Sequence, residues 1–520
     1  MDNKKVIALK IHEGDNVAVV LEDVKRGQRV QCGDREIIAN SGIGRGHKIA
    51  LTDIDMGEKV IKYSFPIGYA IENISEGEHV HIHNTKTTLE GIVEYTYNPA
   101  EPSLEKQSES ISNEYIQINS SGTDNNSRNL ESTFNGYVRA DGRVGIRNEI
   151  WIVNTVGCMN KTAEVLAREA STKYAGKTDG IFAYTHPYGC SQMGEDEQNT
   201  QKILAGLVNH PNAAGVLVLG LGCENNNIPE FKKVLGQIDE ERVRFLVSQD
   251  VEDEIEEGLK LIGELVEYAH WFKRQKCPSS KLVVGLKCGG SDAFSGITAN
   301  PLVGAFSDIL TLQGGISILT EVPEMFGAET LLMNRCVNRE VFNKTVALIN
   351  NFKEYYIKHG QVIYENPSPG NKKGGISTLE EKSLGCTQKG GTGSLTDVLD
   401  YGEPATMPGL NLLKGPGNDI VASTALTASG AHMILFTTGR GTPLGAPVPT
   451  VKISTNTDLY RRKSGWIDYN AGSLIEGAKM GELKEEFWQY VMAIASGEIL
   501  TKNEINGYRE IAIFKDGVTL

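Results

Sequence analysis

The chain lacks several patterns that define familiar protein classes. No C-x-x-C pair occurs among its 8 cysteines, so it has neither a zinc ribbon nor a ferredoxin signature. No apolar run approaches the roughly 18 residues of a spanning helix, and the first residues lack the apolar core of a signal peptide. Basic residues are the minority, with 52 Lys and Arg against 66 Asp and Glu. These absences predict a cytoplasmic protein whose partner is neither nucleic acid nor a membrane.

The glycine spacing of nucleotide sites is also missing. The stretch "GLGCENN" begins like a dinucleotide fingerprint, but Asn225 occupies a position that needs glycine. The stretches "NPSPGNKKGGIS" and "GCTQKGGTGS" lack P-loop spacing. They predict instead a loop that binds a carboxylate through Lys372 or Lys373. A mobile surface loop is the alternative.

What is present predicts several domains in 520 residues. Residues 1–97 alternate apolar and polar stretches between turn signals, which predicts a small all-β domain. Residues 98–131 are rich in Ser, Asn, Glu and Pro and predict a linker. Beyond them, short apolar runs alternate with amphipathic segments. This pattern predicts two α/β domains with Rossmann-like parallel sheets, at 132–278 and 279–520.

Several cysteines stand where predicted strands end. Cys158, Cys190 and Cys223 are roughly one βαβ unit apart, and Cys288 follows "KLVVGLK". Arg440 follows the strand "AHMILFTTG" in the same way. Because the carboxyl ends of parallel strands share one edge, we expect these side chains in one crevice. Alternatively, these cysteines occur at strand ends only because small residues suit tight turns. Three cysteines that do not follow a predicted strand are expected in the core: Cys32, Cys277 and Cys336.

Thiols with nearby histidines favour iron or zinc. The candidate ligands either flank a mononuclear ferrous ion or hold an iron–sulfur cluster with one open iron, and the sequence leaves both open. "GEHVHIHNT" places three histidines on one face of a strand. This pattern indicates either a metal site or an edge strand exposed to solvent. "EVPEMFGAE" contains Glu321 and Glu324. These two residues either act as general acid or base or simply begin a helix. The four candidate metal ligands are Cys158, Cys190, Cys223 and Cys288.

Other candidates suit a hydroxy-acid substrate. His47, in "GRGHKIALTDI", and His186 are candidate acid and base, and Arg440 is a candidate clamp for a carboxylate. Closure of the N-terminal domain over the crevice would bring His47 close to the strand-end cysteines. Amide, hydroxyl, carboxylate and ammonium groups at the rim are candidate substrate ligands: Asn225, Ser291, Asp292, Lys372 and Lys373.

Taken together, the motifs resemble the altronate and galactarate dehydratase family of hydro-lyases over nearly the whole chain. "GEHVHIHNT" and "SLGC" are more similar to the altronate branch, whereas the segment at 98–131 is longer than the family pattern. The motifs include "GRGHKIALTDI", "IKYSFPIGYAI", "DGRVGIRNE", "TVGC", "YGCSQMG", "LGLGCENN", "CGGSDAFSGITANP", "LTEVPEMFGAE", "YENPSPGNKKGG", "PGLNLL", "PGND", "TTGRGTP" and "AIFKDGVTL".

The resemblance implies an N-terminal domain of the SAF type and a catalytic α/β region. It also implies iron-dependent loss of water, with Mn²⁺ as an alternative ion, from D-altronate to 2-keto-3-deoxy-D-gluconate in hexuronate catabolism. Galactarate or another sugar acid is the alternative substrate. Two rival classes stay open: a sugar-acid binding protein without turnover, and a thiol-based redox protein. A homo-oligomer is compatible with all of these.

Overall fold

The computed structural model describes residues 6–99 and 133–517. Most of the predicted linker, at 100–131, lies outside the described residues. Within the described ranges, no helix is both long and apolar enough to cross a membrane. The predicted fold class is confirmed, because an all-β region precedes an α/β region with parallel sheets.

The N-terminal region consists of short strands joined by tight turns. Its first sheet has the order β4-β3-β1-β2-β5-β8, and a second has the order β6-β7-β9. The buried faces of both sheets carry valine, isoleucine and alanine. The strands are β1 (Val6–Leu9), β2 (Val17–Val20), β3 (Arg29–Cys32), β4 (Arg35–Ile38), β5 (Lys48–Ala50), β6 (Lys59–Lys62), β7 (Phe65–Ala70), β8 (His79–Val80) and β9 (Thr85–Lys86).

A four-stranded parallel sheet follows, flanked by helices. Its central strands are buried along their whole length, as expected for a parallel sheet covered on both faces. Its strands are β12 (Glu149–Asn154), β13 (Ile181–Tyr184), β14 (Ala213–Gly220) and β15 (Val243–Val247), in the order β13-β12-β14-β15. The helices are α1 (Asn160–Lys173), α2 (Glu195–Val208), α3 (Ile228–Leu235) and α4 (Glu254–His270).

A seven-stranded parallel sheet forms the C-terminal region, and a small antiparallel sheet joins it to the preceding one. The small sheet contains β10 (Thr133–Val138), β11 (Val144–Gly145) and β16 (Arg274–Pro278). The large sheet has the order β19-β20-β18-β17-β21-β22-β23. Its strands are β17 (Val283–Cys288), β18 (Ile316–Leu319), β19 (Leu395–Leu399), β20 (Gly409–Leu413), β21 (Met433–Thr438), β22 (Thr450–Ser454) and β23 (Tyr469–Asn470).

The glycine-rich stretch at 366–393 is helical rather than a mobile surface loop. A capping box at Ser368 and Asn371 starts one short helix, and Thr378 caps the next. The sheet also continues beyond the strand of "AHMILFTTG", through β22 and β23. The C-terminal helices are α5 (Ala299–Leu312), α6 (Glu329–Met333), α7 (Arg339–Lys358), α8 (Pro369–Lys373), α9 (Leu379–Cys386), α10 (Asp419–Ala428), α11 (Thr457–Arg462), α12 (Met480–Ala495) and α13 (Lys502–Asn506).

Candidate active site

Three histidines meet where the N-terminal β region contacts the C-terminal region. His47 precedes β5, while His79 and His81 lie at the start and just beyond the end of β8, which pairs with β5. Nδ1 of His47 is 2.9 Å from Nε2 of His79, and the rings of His47 and His81 are 4.7 Å apart. One nitrogen from each ring lies within 4.8 Å of the other two. These residues form the histidine site, a candidate metal site.

Burial lowers the pKa of all three imidazoles. Desolvation is the main cause, and the charge of Lys48 adds to it. The pKa of His79 falls to about 4 and that of His81 to about 3. The rings are therefore neutral at pH 7, and each can offer a lone pair to a metal ion. Imidazole donors suit iron, although they also suit zinc, copper and nickel.

Three cationic residues lie on or against α8, the helix that contacts His47. Lys372 and Lys373 end α8, and the carbonyl of Lys373 lies 3.3 Å from Nε2 of His47. A methyl group at Gly370 of this helix would lie 3.9 Å from Cδ of Arg440. In the part of the chain that the structure describes, the three cationic groups have no acidic partner. They therefore form an anion-attracting border, and three predicted site residues lie together here with His47.

Ser291 and Asp292 lie against α8, but both are buried. The carbonyl of Ser291 accepts a hydrogen bond from Nδ2 of Asn371 at 2.8 Å. The Asp292 carboxylate accepts hydrogen bonds from Thr455 Oγ1 at 3.0 Å and from Asn456 Nδ2 at 3.2 Å. Burial raises the pKa of Asp292. These contacts hold the loop after β17 against α8.

A buried carboxylate fixes the histidine-bearing strands to the C-terminal region. Glu381 of α9 lies 2.8 Å from Nζ of Lys48 and 2.7 Å from Nζ of Lys62. Burial alone would raise the pKa of Glu381, but the two lysines lower it to about 2. Nζ of Lys48 also donates to Ser377 Oγ at 2.8 Å, and this hydroxyl lies 3.0 Å from Nδ1 of His81. The network therefore sets the position of His81.

A second candidate metal-binding site lies at the end of β17. Sγ of Cys288 and Sγ of Cys386 are 3.4 Å apart, and Oε2 of Glu324 is 3.0 Å and 3.2 Å from them. Nζ of Lys389 lies 3.1 Å from Sγ of Cys288. The hydrogen bond with Cys386 is the main cause that lowers the pKa of Cys288 to about 6, and Lys389 adds to it. The ammonium group already balances a thiolate, which makes this set less suited to a divalent cation than the histidine site.

The histidine site and this buried set are the two groups of three possible metal ligands found among residues 6–99 and 133–517. The sequence pattern does not join Glu324, or Cys386 of "SLGC", to Cys288, and it gives no role to Lys382 and Lys389. No pattern of period or spacing connects these positions, since they come from a strand end, a short turn and two helical segments. Only the tertiary fold brings them together.

Cys158, Cys190 and Cys223 belong to a different sheet from Cys288. They are exposed on the loops that follow β12, β13 and β14, at the carboxyl edge of the four-stranded sheet. Cys288 is buried at the end of a strand of the seven-stranded sheet. The four thiols predicted as one metal site are thus divided between two sheets.

His186 and Asn225 belong to the edge that carries the exposed cysteines. Nε2 of His186 lies 2.8 Å from the Asn154 carbonyl, and its Nδ1 accepts a hydrogen bond from the Tyr188 amide at 3.2 Å. Burial lowers the pKa of His186. Because backbone groups use both ring nitrogens, His186 holds its loop. Oδ1 of Asn225 accepts a hydrogen bond from the Ser191 amide at 2.9 Å and so links two loops.

Three family models match the chain in order. They are described as "Altronate/galactarate dehydratase SAF domain" over residues 6–88, "D-galactarate dehydratase/Altronate hydrolase, second domain" over 136–270 and "D-galactarate/Altronate dehydratase, C-terminal" over 279–519. Altronate dehydratase of Bacillus subtilis (strain 168) is 52% identical over 515 residues, covering 98% of this chain and 99% of the relative. The chain belongs to the altronate/galactarate dehydratase family.

Two further relatives belong to the same family, and the chain is more similar to one of them than to the other. Altronate dehydratase of Escherichia coli (strain K12) is 50% identical over 514 residues, covering 98% of this chain and 99% of the relative. Galactarate dehydratase (L-threo-forming) of the same organism is 33% identical over 532 residues, covering 97% of this chain and 96% of the relative. The resemblance drawn from the motifs is thereby confirmed, as is the SAF domain, and the protein is a hydro-lyase.

Proposed function

We propose that the protein removes water from D-altronate to give 2-keto-3-deoxy-D-gluconate, and that the reaction takes place at the histidine site. The observation that carries the proposal is the contact of three neutral imidazoles with α8, which bears two of three cationic residues that have no acidic partner among the described residues. The higher identity to the altronate dehydratases than to galactarate dehydratase supports altronate as the substrate.

The reaction requires strong stabilisation of negative charge. The C2 proton of an aldonate is weakly acidic, because its removal beside a carboxylate gives a doubly charged enediolate. Lys373 and Arg440, both exposed at the border of the site, hold the substrate carboxylate. Fixed positive charge in such a position typically contributes several kcal/mol to stabilisation of the transition state.

Lys372 transfers the proton in this proposal. It is half-buried on α8 next to Asn371, which hydrogen-bonds to the loop after β17. Lysine bases serve this purpose in other enzymes that form enediolates beside a metal. Lys372, as the free amine, takes the proton from C2 and passes it to the departing C3 hydroxyl, which leaves as water, and the resulting enol tautomerises to the ketone. Such assistance contributes roughly 10²–10⁴-fold to the rate.

Iron fits the histidine site through His47, His79 and His81. A ferrous ion bound there would supply Lewis-acid polarisation of the substrate carboxylate and its neighbouring hydroxyl. This assignment gives His47, a predicted acid or base, the role of a ligand. It leaves His186 a structural role and separates the exposed cysteines from the reaction.

The proposal is tested with full-length protein purified without oxygen. Formation of 2-keto-3-deoxy acid is measured from D-altronate and from galactarate, each with Fe²⁺, with Mn²⁺ and with chelator. We expect product from altronate that depends on added Fe²⁺, with less from galactarate. Faster turnover of galactarate would overturn the substrate assignment. Affinity for altronate without product would instead indicate a binding protein.

A further inference from the structure

We propose that Cys158, Cys190 and Cys223 hold an iron–sulfur cluster, separate from the histidine site. The proposal does not rest on the dehydration reaction. These three thiols are exposed, whereas the other five cysteines of the chain are buried. Each exposed thiol lies three to six residues beyond the end of a strand of one parallel sheet, in the loops at the carboxyl edge where open α/β sheets bind ligands.

Backbone contacts bring the three loops together. The Gly157 amide donates a hydrogen bond to the Tyr188 carbonyl at 2.8 Å, and the Asn226 amide donates one to the Gly189 carbonyl at 3.1 Å. A Cβ at Gly189 would lie 2.0 Å from the Thr155 carbonyl oxygen, so only glycine permits this approach. Each cysteine is one to three residues from such a contact. The three loops therefore form one continuous surface, here called the cysteine edge.

The three thiols do not lie as close together as a single tetrahedral ion would require. Three thiolates around one tetrahedral ion lie about 3.8 Å from one another, given metal–sulfur bonds of about 2.3 Å. The cysteine edge is not among the groups of the described residues whose ligand atoms all lie within 4.8 Å of one another. In a cubane cluster each thiolate binds a different iron, so the ligands are farther apart.

Buried polar groups around the cysteine edge lack partners. Nε2 of Gln192 and Oδ1 of Asn226 have no hydrogen-bond partner, although the two residues are only 2% and 1% exposed. Groups buried in this way usually indicate a missing ligand or water. Nε2 of Gln249 also lies 3.6 Å from Sγ of Cys223. Amide donors of this kind hydrogen-bond to the sulfur atoms of iron–sulfur clusters.

The cluster would have one iron without a protein thiolate. The remaining cysteines lie in other parts of the fold, and His186 uses both ring nitrogens for backbone contacts. The open iron would therefore carry an exchangeable oxygen ligand, such as water or a small carboxylate. The cysteines that are excluded as fourth ligand are Cys32, Cys277, Cys288, Cys336 and Cys386, which are all buried.

The test uses full-length protein, purified anaerobically and reconstituted with ferrous iron and sulfide. Iron, acid-labile sulfide, visible absorption and the Mössbauer spectrum are measured for the wild type, for C158S, C190S and C223S, and for the triple variant. The buried Cys277, whose Sγ contacts the Gln275 carbonyl, provides the control variant C277S. Circular dichroism verifies folding of each variant.

We expect about four sulfides per chain in the wild type and in C277S, with one iron distinct from the others, and loss of the sulfide in the triple variant. Absence of labile sulfide from reconstituted wild type, or its retention in the triple variant, would overturn the proposal. Iron bound by the three cysteines without sulfide would overturn it as well. The histidine variant H79N should keep the acid-labile sulfide. The sulfide content therefore tests the cluster independently of altronate turnover.

Discussion

At the scale of single residues, the histidine site is defined by charges that other side chains do not balance. Most buried cations of the C-terminal region face acids, as Lys287 faces Asp419 at 2.7 Å and Lys382 faces Glu324 at 2.7 Å. The cations of α8 and Arg440 face none among the described residues. Unbalanced charge beside neutral imidazoles indicates a place for an anionic ligand and a metal ion.

Replacing these cations should separate binding from proton transfer. We expect R440Q and K373Q to raise KM for altronate, and to lower kcat/KM by roughly 10–100-fold, since each removes a charge-assisted hydrogen bond of about 1.5–3 kcal/mol. K372Q should mainly lower kcat, by roughly 10²–10⁴-fold. Steady-state kinetics with iron-loaded protein measures both effects.

The matched control is K161Q, which removes an exposed lysine that pairs with Glu164 on the surface of α1. It should leave both constants unchanged. If K372Q changed only KM, Lys372 would be part of the carboxylate clamp, and its assignment as the base would be wrong.

At the scale of elements, the contact between the β5–β8 pair and helices α8 and α9 determines where the histidines lie. Glu381 is the centre of this contact, because it is the buried acid shared by two lysines of the β region. The hydroxyl of Thr87 and the amide of Thr88 add hydrogen bonds to Glu380. The contact therefore consists of polar groups that are satisfied only when the two regions are joined.

Removal of the shared charge should loosen this contact. E381Q leaves two buried lysines without a counter-charge, and we expect a loss of about 3–5 kcal/mol in the free energy of unfolding. E380Q, the neighbouring control, keeps its acceptor oxygen and should lose less. Urea unfolding at pH 7 measures both, and equal losses would contradict the central role of Glu381.

The same pair predicts a dependence on pH. The pKa of Glu381 is lowered from 4.5 to about 2 in the folded protein, so its stabilising effect is complete above about pH 4.5 and is lost as the pH falls towards 2. The difference in stability between wild type and E381Q should shrink across this window. A difference that stayed constant down to pH 2 would show that the carboxylate is not held by the lysines.

Gly46 allows the close approach of α8 to the histidine-bearing strands. Its φ of +83° disfavours a side chain, and an added Cβ would contact the Gly374 carbonyl oxygen at 3.4 Å. Gly27 has φ of +81° but open space around its Cβ position, which makes it a matched control. G46A and G27A should each lose about 1–2 kcal/mol of stability through the backbone.

Only G46A should also weaken ferrous binding, because only Gly46 is at the contact next to His47. Calorimetric titration with Fe²⁺ under anaerobic conditions compares the two variants. Equal affinity in both would mean that the position of His47 does not depend on this contact.

At the scale of the whole molecule, the sequence predicts the order of the β and α/β regions and the strand ends that carry functional side chains. Periodicity was sufficient for this, because strands such as β14 are continuously apolar and are followed by clear turns. The domain limits drawn from the sequence, and a homo-oligomeric state, stay predictions.

The sequence could not predict which strand ends share a site. Cys288 and Cys223 occupy equivalent places in the pattern of βα units, yet they belong to separate sheets. In the same way, His47 meets Lys373 across more than three hundred residues through a contact between domains. Local periodicity contains no information on such contacts, which depend on buried polar partners such as Glu381.

The most direct measurement of the central claim is the joint determination of ferrous binding and altronate dehydration in H79N and H83N. His83 is exposed, and its ring lies 5.1 Å from that of His79, but it is not in the histidine site. We expect H79N to lose tight iron binding and turnover together, whereas H83N should keep both. Full activity and iron affinity in H79N would contradict the assignment of the histidine site as the place of reaction.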